Sequence, residues 1–547
     1  MSVNLCSRRS VRHLARVVTL AGLLATTAAR TVASEPSPIL DWERPHEPAG
    51  SLYADGAWAG VESSGDVTTV GIRRLDGGFE TETAVVRHDA GGAFQWEGTF
   101  PDSQAVHVNA LLLPEGDVVV ATVITGFEPR IVVRRVTAPG DSVWSHEIAV
   151  APVAPAQMPA YPALRGDGLW VASRPDELGR LTRYDLDGNV LWSVPLADSG
   201  GVGFRPTDVA VAPDGTAYVG GEGLQHPGII ARSVAVDPDG TFLWEHIQPG
   251  AIGSLLGDVF VQVGPDSLPV LSTSPETDCG GIEAWTWKLD RDGDLVWEDD
   301  FPDVFCEEGR SRALTLAPDG GPVVAGTYSV PGGDLDFHVI RYSPAGERVW
   351  MRSFDGPGTT DVSRDVVVDA TGSIYVTGHT THPPQDRDVL LLKLAPDGSV
   401  AWWADWGVPA GTNDYGLSVA VGPDNEVVVG GHPTLLTLRW SQDPAVTVPV
   451  ADGPRSERLL LGAFPNPTPG ATTVRYALPR RASLTLRILD VRGAPVRTLV
   501  AGERPRGSHA ATWDGRDAAG QPTASGVYFV RLEAAGHREA ERIVITR

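Results

Sequence analysis

Residues 362–406 read VSRDVVVDATGSIYVTGHTTHPPQDRDVLLLKLAPDGSVAWWADW, and this stretch decides the fold. Four runs rich in Val, Ile, Tyr, Leu and Trp stand at Asp365–Val368, Ile374–Thr377, Val389–Leu394 and Val400–Trp403. β-Branched and aromatic side chains suit a pleated, half-buried surface, so each run predicts a strand. Ala370-Thr371-Gly372 separates the first two runs and Pro396-Asp397-Gly398 the last two. Proline presets φ, aspartate bonds nearby backbone N–H groups and glycine accepts positive φ, so both are tight hairpin turns.

Working outward, the same unit recurs along the chain. Trp96, Trp144, Trp192, Trp244, Trp297, Trp350 and Trp402 each stand four residues after a glycine, at Gly92, Gly140, Gly188, Gly240, Gly293, Gly346 and Gly398. The first hairpin turn recurs at Gly65, Gly116, Gly168, Gly215, Ser267, Gly320, Gly372 and Asn425. A four-stranded antiparallel unit repeated about every 40–50 residues is the pattern of a propeller blade. The eighth unit ends at a third strand, Leu435–Trp440, with no Gly-x-x-x-Trp strand after it. Pro38-Ile39-Leu40-Asp41-Trp42 supplies such a strand at the other end of the chain. The expectation is an all-β chain: an eight-bladed β-propeller over 35–443, closed by its N-terminal strand, then a small Ig-like β-sandwich. Closure of this kind leaves no open sheet edge. The recurring tryptophans are expected to pack against the neighbouring blade.

Residues 1–34 carry five arginines and no acid, with an apolar stretch Val17–Ala29, and read as a secretory signal peptide. No later stretch is long and apolar enough for a membrane span. The whole chain has a net charge of −25. The segment 35–454 stands at −37 and 455–547 at +7. So acidic a body disfavours nucleic acid, whose binding rests on Lys and Arg contacts to phosphate. Cys6 leaves with the signal. Cys279 and Cys306 fall in loops on one face of the propeller and are expected to form a disulfide; two separate thiols are the alternative.

Residues 444–458 form a linker, and 459–547 break the period. Short strands at Thr473–Leu478, Ser483–Leu489, Val527–Leu532 and Arg542–Thr546 suit a small sandwich. The segment carries Pro465-Asn466-Pro467, Tyr476-Ala-Leu-Pro479, Trp513-Asp514-Gly515 and Ser525-Gly526-Val527-Tyr528-Phe529. With these residues it resembles the C-terminal sorting domain of type IX secretion cargo, and the related Ig-like domain of flagellar hook-capping proteins. The resemblance implies recognition by the type IX machinery, passage across the outer membrane, and then release or attachment at the cell surface. The stretch from Val339 to Thr380 is similar to bacterial β-propeller repeats, a family that implies a fold more than a reaction.

No Gly-x-Ser-x-Gly elbow, His-Glu-x-x-His motif or phosphate-cradling glycine loop is present. The Asp-x-Asp-Gly phrases at 185–188, 237–240 and 290–293 fall where strand three must turn into strand four, and read as turns rather than calcium loops. His379 and His432 occupy one repeat position in adjacent units, with His382 and Asp386 nearby. Imidazoles with a carboxylate could bind a transition metal, and calcium is the other ion considered; ordinary loop histidines are the plainer reading. No cofactor is otherwise expected. The functional expectation is a secreted or surface-displayed binding propeller for a protein or glycan, meeting its ligand on the face with the long loops. The alternative is an extracellular propeller enzyme, a lyase, glycosidase or quinoprotein, with its site at the channel mouth.

Overall fold

The computed structural model describes residues 39–44, 58–441 and 460–546, without 76–79, 126–127, 139, 151–159, 177, 198–202, 226–227, 254–257, 276–281, 283, 302–307, 330–334, 383–385, 408–412, 433–434, 465–467, 469, 479–481, 505–506 and 535–536. The expected signal peptide, the linker, Cys279, Cys306 and Pro465-Asn466-Pro467 lie outside the described residues. The described residues are all-β, and none of them forms a helix long and apolar enough to cross a membrane.

The unit that opened the sequence reading is a four-stranded antiparallel meander of Thr360–Val368, Ile374–His382, Asp386–Leu394 and Val400–Trp406. Sheets of the same order begin at Trp58–Val61, Ala105–Leu112, Ala160–Arg165, Phe204–Val211, Phe260–Val263 and Glu308–Leu316. Another is built from Tyr415–Val421, Val427–His432, Leu436–Ser441 and, as its outer strand, Ile39–Arg44. Many four-stranded sheets of one order are the arrangement of a β-propeller. The first strands of consecutive sheets lie against one another along the chain, and Tyr415–Val421 also lies against Trp58–Val61.

Register repeats as well as topology. Strand three carries a cation opposite the strand-four tryptophan: Arg87 faces Trp96, Arg135 Trp144, Arg183 Trp192, Lys288 Trp297, Arg341 Trp350 and Lys393 Trp402. Several of these cations tie back to the first hairpin turn of their own sheet. Arg87 bonds Asp66 at 2.9 Å, Arg135 bonds Asp117 at 2.7 Å and Lys288 bonds Asp266 at 2.6 Å. One residue is skipped just before each tryptophan, a β-bulge that sharpens the twist of the outer strand. Ile39–Arg44 follows the same rule: Trp42 faces Arg439 and Asp41 is the skipped residue.

Apolar clusters bridge successive sheets. Val70, Val85 and Trp96 pack with Val118 and Val120; Phe337 and Val339 pack with Val376, Leu390 and Leu392; Tyr375, Leu391 and Trp402 pack with Val429 and Leu438. Fully buried Val, Leu and aromatic side chains contribute roughly 1.5–3 kcal/mol each, and here that energy is gained between repeats as much as within them.

One turn departs from the sequence reading. The third sheet turns at Gly166 (φ 59°), not Gly168, because Arg165 pairs directly with Gly168 across a two-residue loop. The Asp-x-Asp-Gly phrases are turns: Asp237 Oδ1 accepts from the N–H of Asp239 and Thr241, and Asp290 Oδ1 from those of Asp292 and Asp294.

The C-terminal segment is Ig-like, with Leu460–Phe464, Thr472–Leu478 and Gly507–Trp513 in one sheet and Pro495–Arg504, Ala482–Asp490, Gly526–Ala534 and His537–Ile545 in the other. Trp513 is buried in its core with Val474, Leu486, Ile488 and Leu532. The described residues among those expected to form a sorting motif hold this fold together. Trp513 donates its indole N–H to Arg516 O at 2.8 Å and meets Tyr528 edge-on at 5.2 Å. Asp514 accepts from Arg497 at 2.8 Å, Gly515 O accepts from the Thr523 N–H at 2.9 Å, and Gly526 takes φ 156° at the start of its strand.

Candidate functional site

The first strands of the repeated sheets line a cavity of about 840 Å³. Trp58, His107, Tyr161, Thr207, Phe260, Arg312, Arg364 and Tyr415 enter it, one from each first strand. The volume lies in the range of small-molecule sites, and the mixture of aromatic rings with a few polar groups is the lining such sites use.

The polar groups are placed by β-bulges. In Phe204–Val211, Glu308–Leu316, Thr360–Val368 and Tyr415–Val421, one residue of the first strand is skipped in the pairing with the second. The skipped residues are Thr207, Arg312, Arg364 and Leu417. A bulge re-aims its extra side chain, and all four line the cavity.

Arg312 and Arg364 therefore sit at one position of two adjacent sheets, and Arg387 reaches the same cavity from Asp386–Leu394. Burial lowers the pKa of Arg312, and the neighbouring Arg364 and Arg310 lower it further. Burial also lowers that of Arg364, with Arg387 acting in the same direction. Among the described residues no carboxylate pairs with Arg312 or Arg364, and Arg312 Nε is buried without a hydrogen-bond partner. Arg387 bonds the Tyr415 hydroxyl and lies over its ring, 5.6 Å from the centroid.

Both predicted histidines of this region flank Tyr415. His379 meets the ring edge-on at 4.8 Å and His432 lies at 5.7 Å. Burial, then the charges of Arg364, Arg387 and Arg312, push the His379 imidazole down to about 3. His379 is thus neutral at any physiological pH. His107 and Tyr161 form a second ring pair across 6.1 Å on the far side of the lining.

The two carboxylates of the cavity are occupied by backbone. Asp208 accepts from the N–H of Val209 and of Val261 in the next sheet, both at 2.8 Å. Asp365 accepts in the same way from Val366 and Val419, both at 2.8 Å. Ser418 stands at the corresponding position and accepts from Ala59 N at 2.9 Å. Burial raises Asp208 to about 7 and Asp365 to about 6.

His382 parts from the other predicted metal ligands. Its Nε2 lies 3.4 Å from Asp388 Oδ2 and 3.4 Å from Asp405 Oδ2, while Asp386 is its partner across the strand pair. His382, Asp388 and Asp405 converge tightly enough to hold a cation, as do Asp336, Asp355 and Asp361. No such convergence among the described residues includes His379, Asp386 or His432. Asp361 is buried and accepts from Gly356 N at 2.5 Å; burial raises it to about 7. Sequence reasoning missed Arg312 and Arg364. Their only signal is a shared Ser-Arg step, Ser311-Arg312 and Ser363-Arg364, in neighbouring repeats.

The FlgD Ig-like domain family model matches residues 468–537, within the C-terminal sandwich. No curated protein matches the chain. Among solved structures, PorZ of Porphyromonas gingivalis, a surface component of the type-IX secretion system, is similar at 14% identity and TM-score 0.36, covering 91% of this chain and 75% of that one. A protein of unknown function from Dyadobacter fermentans is similar at 11% identity and TM-score 0.38, covering 65% and 96%. The α-L-arabinofuranosidase Arb93A of Fusarium graminearum follows at 13% identity and TM-score 0.35, covering 53% and 94%. At these values the likenesses carry no activity or partner to this chain. What the comparisons establish is an Ig-like C-terminal segment similar to the FlgD domain.

Proposed function

We propose that this is an exported, surface-displayed or secreted β-propeller that binds a ligand in its central cavity. In this reading residues 1–34 are a signal peptide, 35–443 an eight-bladed ring closed by Ile39–Arg44, 444–458 a linker and 459–547 a type IX sorting domain. The observation that carries the binding reading is the 840 Å³ cavity to which all eight first strands contribute. Closure is supported by the register of Trp42 on Arg439 and by the Ser418–Ala59 bond, which repeats the Asp208–Val261 and Asp365–Val419 bonds between other neighbouring sheets. The site in this reading is the cavity, which takes residues from each of the repeated sheets, in place of the long-loop face expected from the sequence.

Binding is favoured over glycoside hydrolysis by the state of the carboxylates. Hydrolysis by the usual route needs two free ones across the scissile bond, and Asp208 and Asp365 are both engaged by backbone. The enzyme alternative has one specific support: Tyr415, with Arg387 on its hydroxyl and two imidazoles at its ring, presents a polar group to a bound ligand.

Two experiments test the reading. A glycan and peptide array probed with the mature chain should give a binder that is lost on Leu417→Trp, which narrows the cavity. Unchanged binding by the folded variant would move the site elsewhere. Deleting 459–547 should leave the chain in the periplasm of a host with type IX secretion; normal surface delivery would overturn the sorting assignment.

A further inference from the structure

Resting on the cavity as the binding site, we infer that its ligand carries an oxyanion (a carboxylate, phosphate or sulfate) held by Arg312, Arg364 and Arg387. The protein is strongly acidic, at −25 overall. An arginine cluster inside such a chain would ordinarily be neutralised by its own carboxylates. Elsewhere in the repeated sheets it is: Arg341 pairs with Asp319, Arg348 with Asp299 and Arg205 with Glu222. Arg312 and Arg364 have no such partner among the described residues, and the two carboxylates nearest them in the lining point their oxygens at backbone N–H groups instead.

Like charges gathered in a cavity cost free energy unless something answers them. Burial lowers both pKa values; Arg364 and Arg310 lower that of Arg312 further against a smaller opposing effect of Asp258, and Arg387 lowers that of Arg364 against an opposing effect of Tyr415. A bound oxyanion removes that cost and can accept the forked N–H groups that guanidinium presents. Low-dielectric walls also focus the field of the cluster into the cavity. His379 is neutral there, so it adds a directional hydrogen-bonding group rather than charge, and its Nδ1 is buried without a partner among the described residues. Trp58, Tyr161, Phe260 and Tyr415 offer apolar faces for the rest of the ligand. A small acidic sugar or similar anion, with one ring to stack and one anionic group to bind, fits this lining.

The test uses the mature chain and four probes in titration calorimetry: trigalacturonate for carboxylate, glucose 6-phosphate for phosphate, N-acetylglucosamine 6-sulfate for sulfate, and uncharged maltotriose. At least one anionic probe should bind, more tightly than maltotriose and more weakly as salt rises. Arg312→Gln with Arg364→Gln should weaken it about tenfold or more, with the melting temperature kept or raised because repulsion is relieved. Three results would overturn the inference: no anion binding tighter than about 1 mM, equal affinity for maltotriose, or full affinity in the folded double variant. Binding of maltotriose that is lost on Leu417→Trp but indifferent to the arginines would leave the cavity as the site and remove only the anion.

Discussion

Trp350 donates its indole N–H to the carbonyl of Pro396 at 2.9 Å, and its ring lies 2.7 Å from where a Cβ on Gly398 would stand. Trp350 belongs to one sheet and Gly398 to the next. Trp144 with Gly188, Trp192 with Gly240, Trp244 with Gly293 and Trp297 with Gly346 repeat the contact. The glycine and the tryptophan of one Gly-x-x-x-Trp phrase are therefore not partners. Each tryptophan is received by the glycine of the following repeat, and the spacing in sequence records a contact between sheets.

Gly398→Ala should consequently cost more than a turn glycine usually does. Its φ of 78° is left-handed, which costs an L-residue roughly 1–2 kcal/mol, and the new methyl must also displace the Trp350 ring, adding about 1–3 kcal/mol. Gly372→Ala in the same sheet is the control: φ is 86° but the nearest atom stands 3.4 Å away. Denaturant melts of the two variants should separate them. Equal losses would mean that the interlocking carries no energy.

Stability should fall as pH rises between about 6 and 8, above the range in which the buried His338 and His379, pushed down to about 3, act in the opposite direction. Burial raises Asp208 and Asp361 to about 7 and Asp365 to about 6, above the unfolded value near 4. A group raised in the folded state stabilises it fully below the unfolded pKa and loses that contribution as pH passes the folded pKa. Melting temperatures across this range should decline, and Asp361→Asn should flatten the decline. A profile that rises towards pH 8 would contradict the assignment.

Trp513→Ala should unfold the C-terminal sandwich and leave the repeated sheets standing. The ring is fully buried and its N–H is bonded to Arg516, so truncation is expected to cost about 3–5 kcal/mol. Calorimetry should lose one transition and keep the other. Loss of both would show that the sandwich is not a separable module.

The repeat was legible because its signal is redundant: turn residues, strand composition and tryptophan spacing agree in unit after unit. Strand ends were not. The run Ile374–Thr377 stops five residues short of His382, where the strand Ile374–His382 ends, because Gly378, Thr380 and His382 carry no apolar signature. In the tail, Pro495–Arg504 was missed since its polar residues alternate with valines too weakly to mark a face. The cation opposite six of the tryptophans gives no signal in the sequence either, because it is distinguished only by its cross-strand partner; Trp244 faces Ala235 instead.

The cavity was least legible. Arg364 lies one residue before the run Asp365–Val368 that composition picks out, and the bulge that turns it into the cavity breaks the alternation on which strand reading depends. His379 and His432 both reach Tyr415. Their company is arginine rather than carboxylate, which only the folded chain reveals. His382 keeps the acidic neighbours, in a different place.

The account depends most on Ile39–Arg44 completing the last sheet, since an open ring would not enclose the cavity as described. Hydrogen–deuterium exchange on the mature chain tests this directly. Peptides covering Leu436–Ser441 should be protected as strongly as those covering Asp386–Leu394, and removing residues 35–44 should release part of that protection and lower the melting temperature. Rapid exchange of Leu436–Ser441 in the intact chain, or protection indifferent to the deletion, would contradict it.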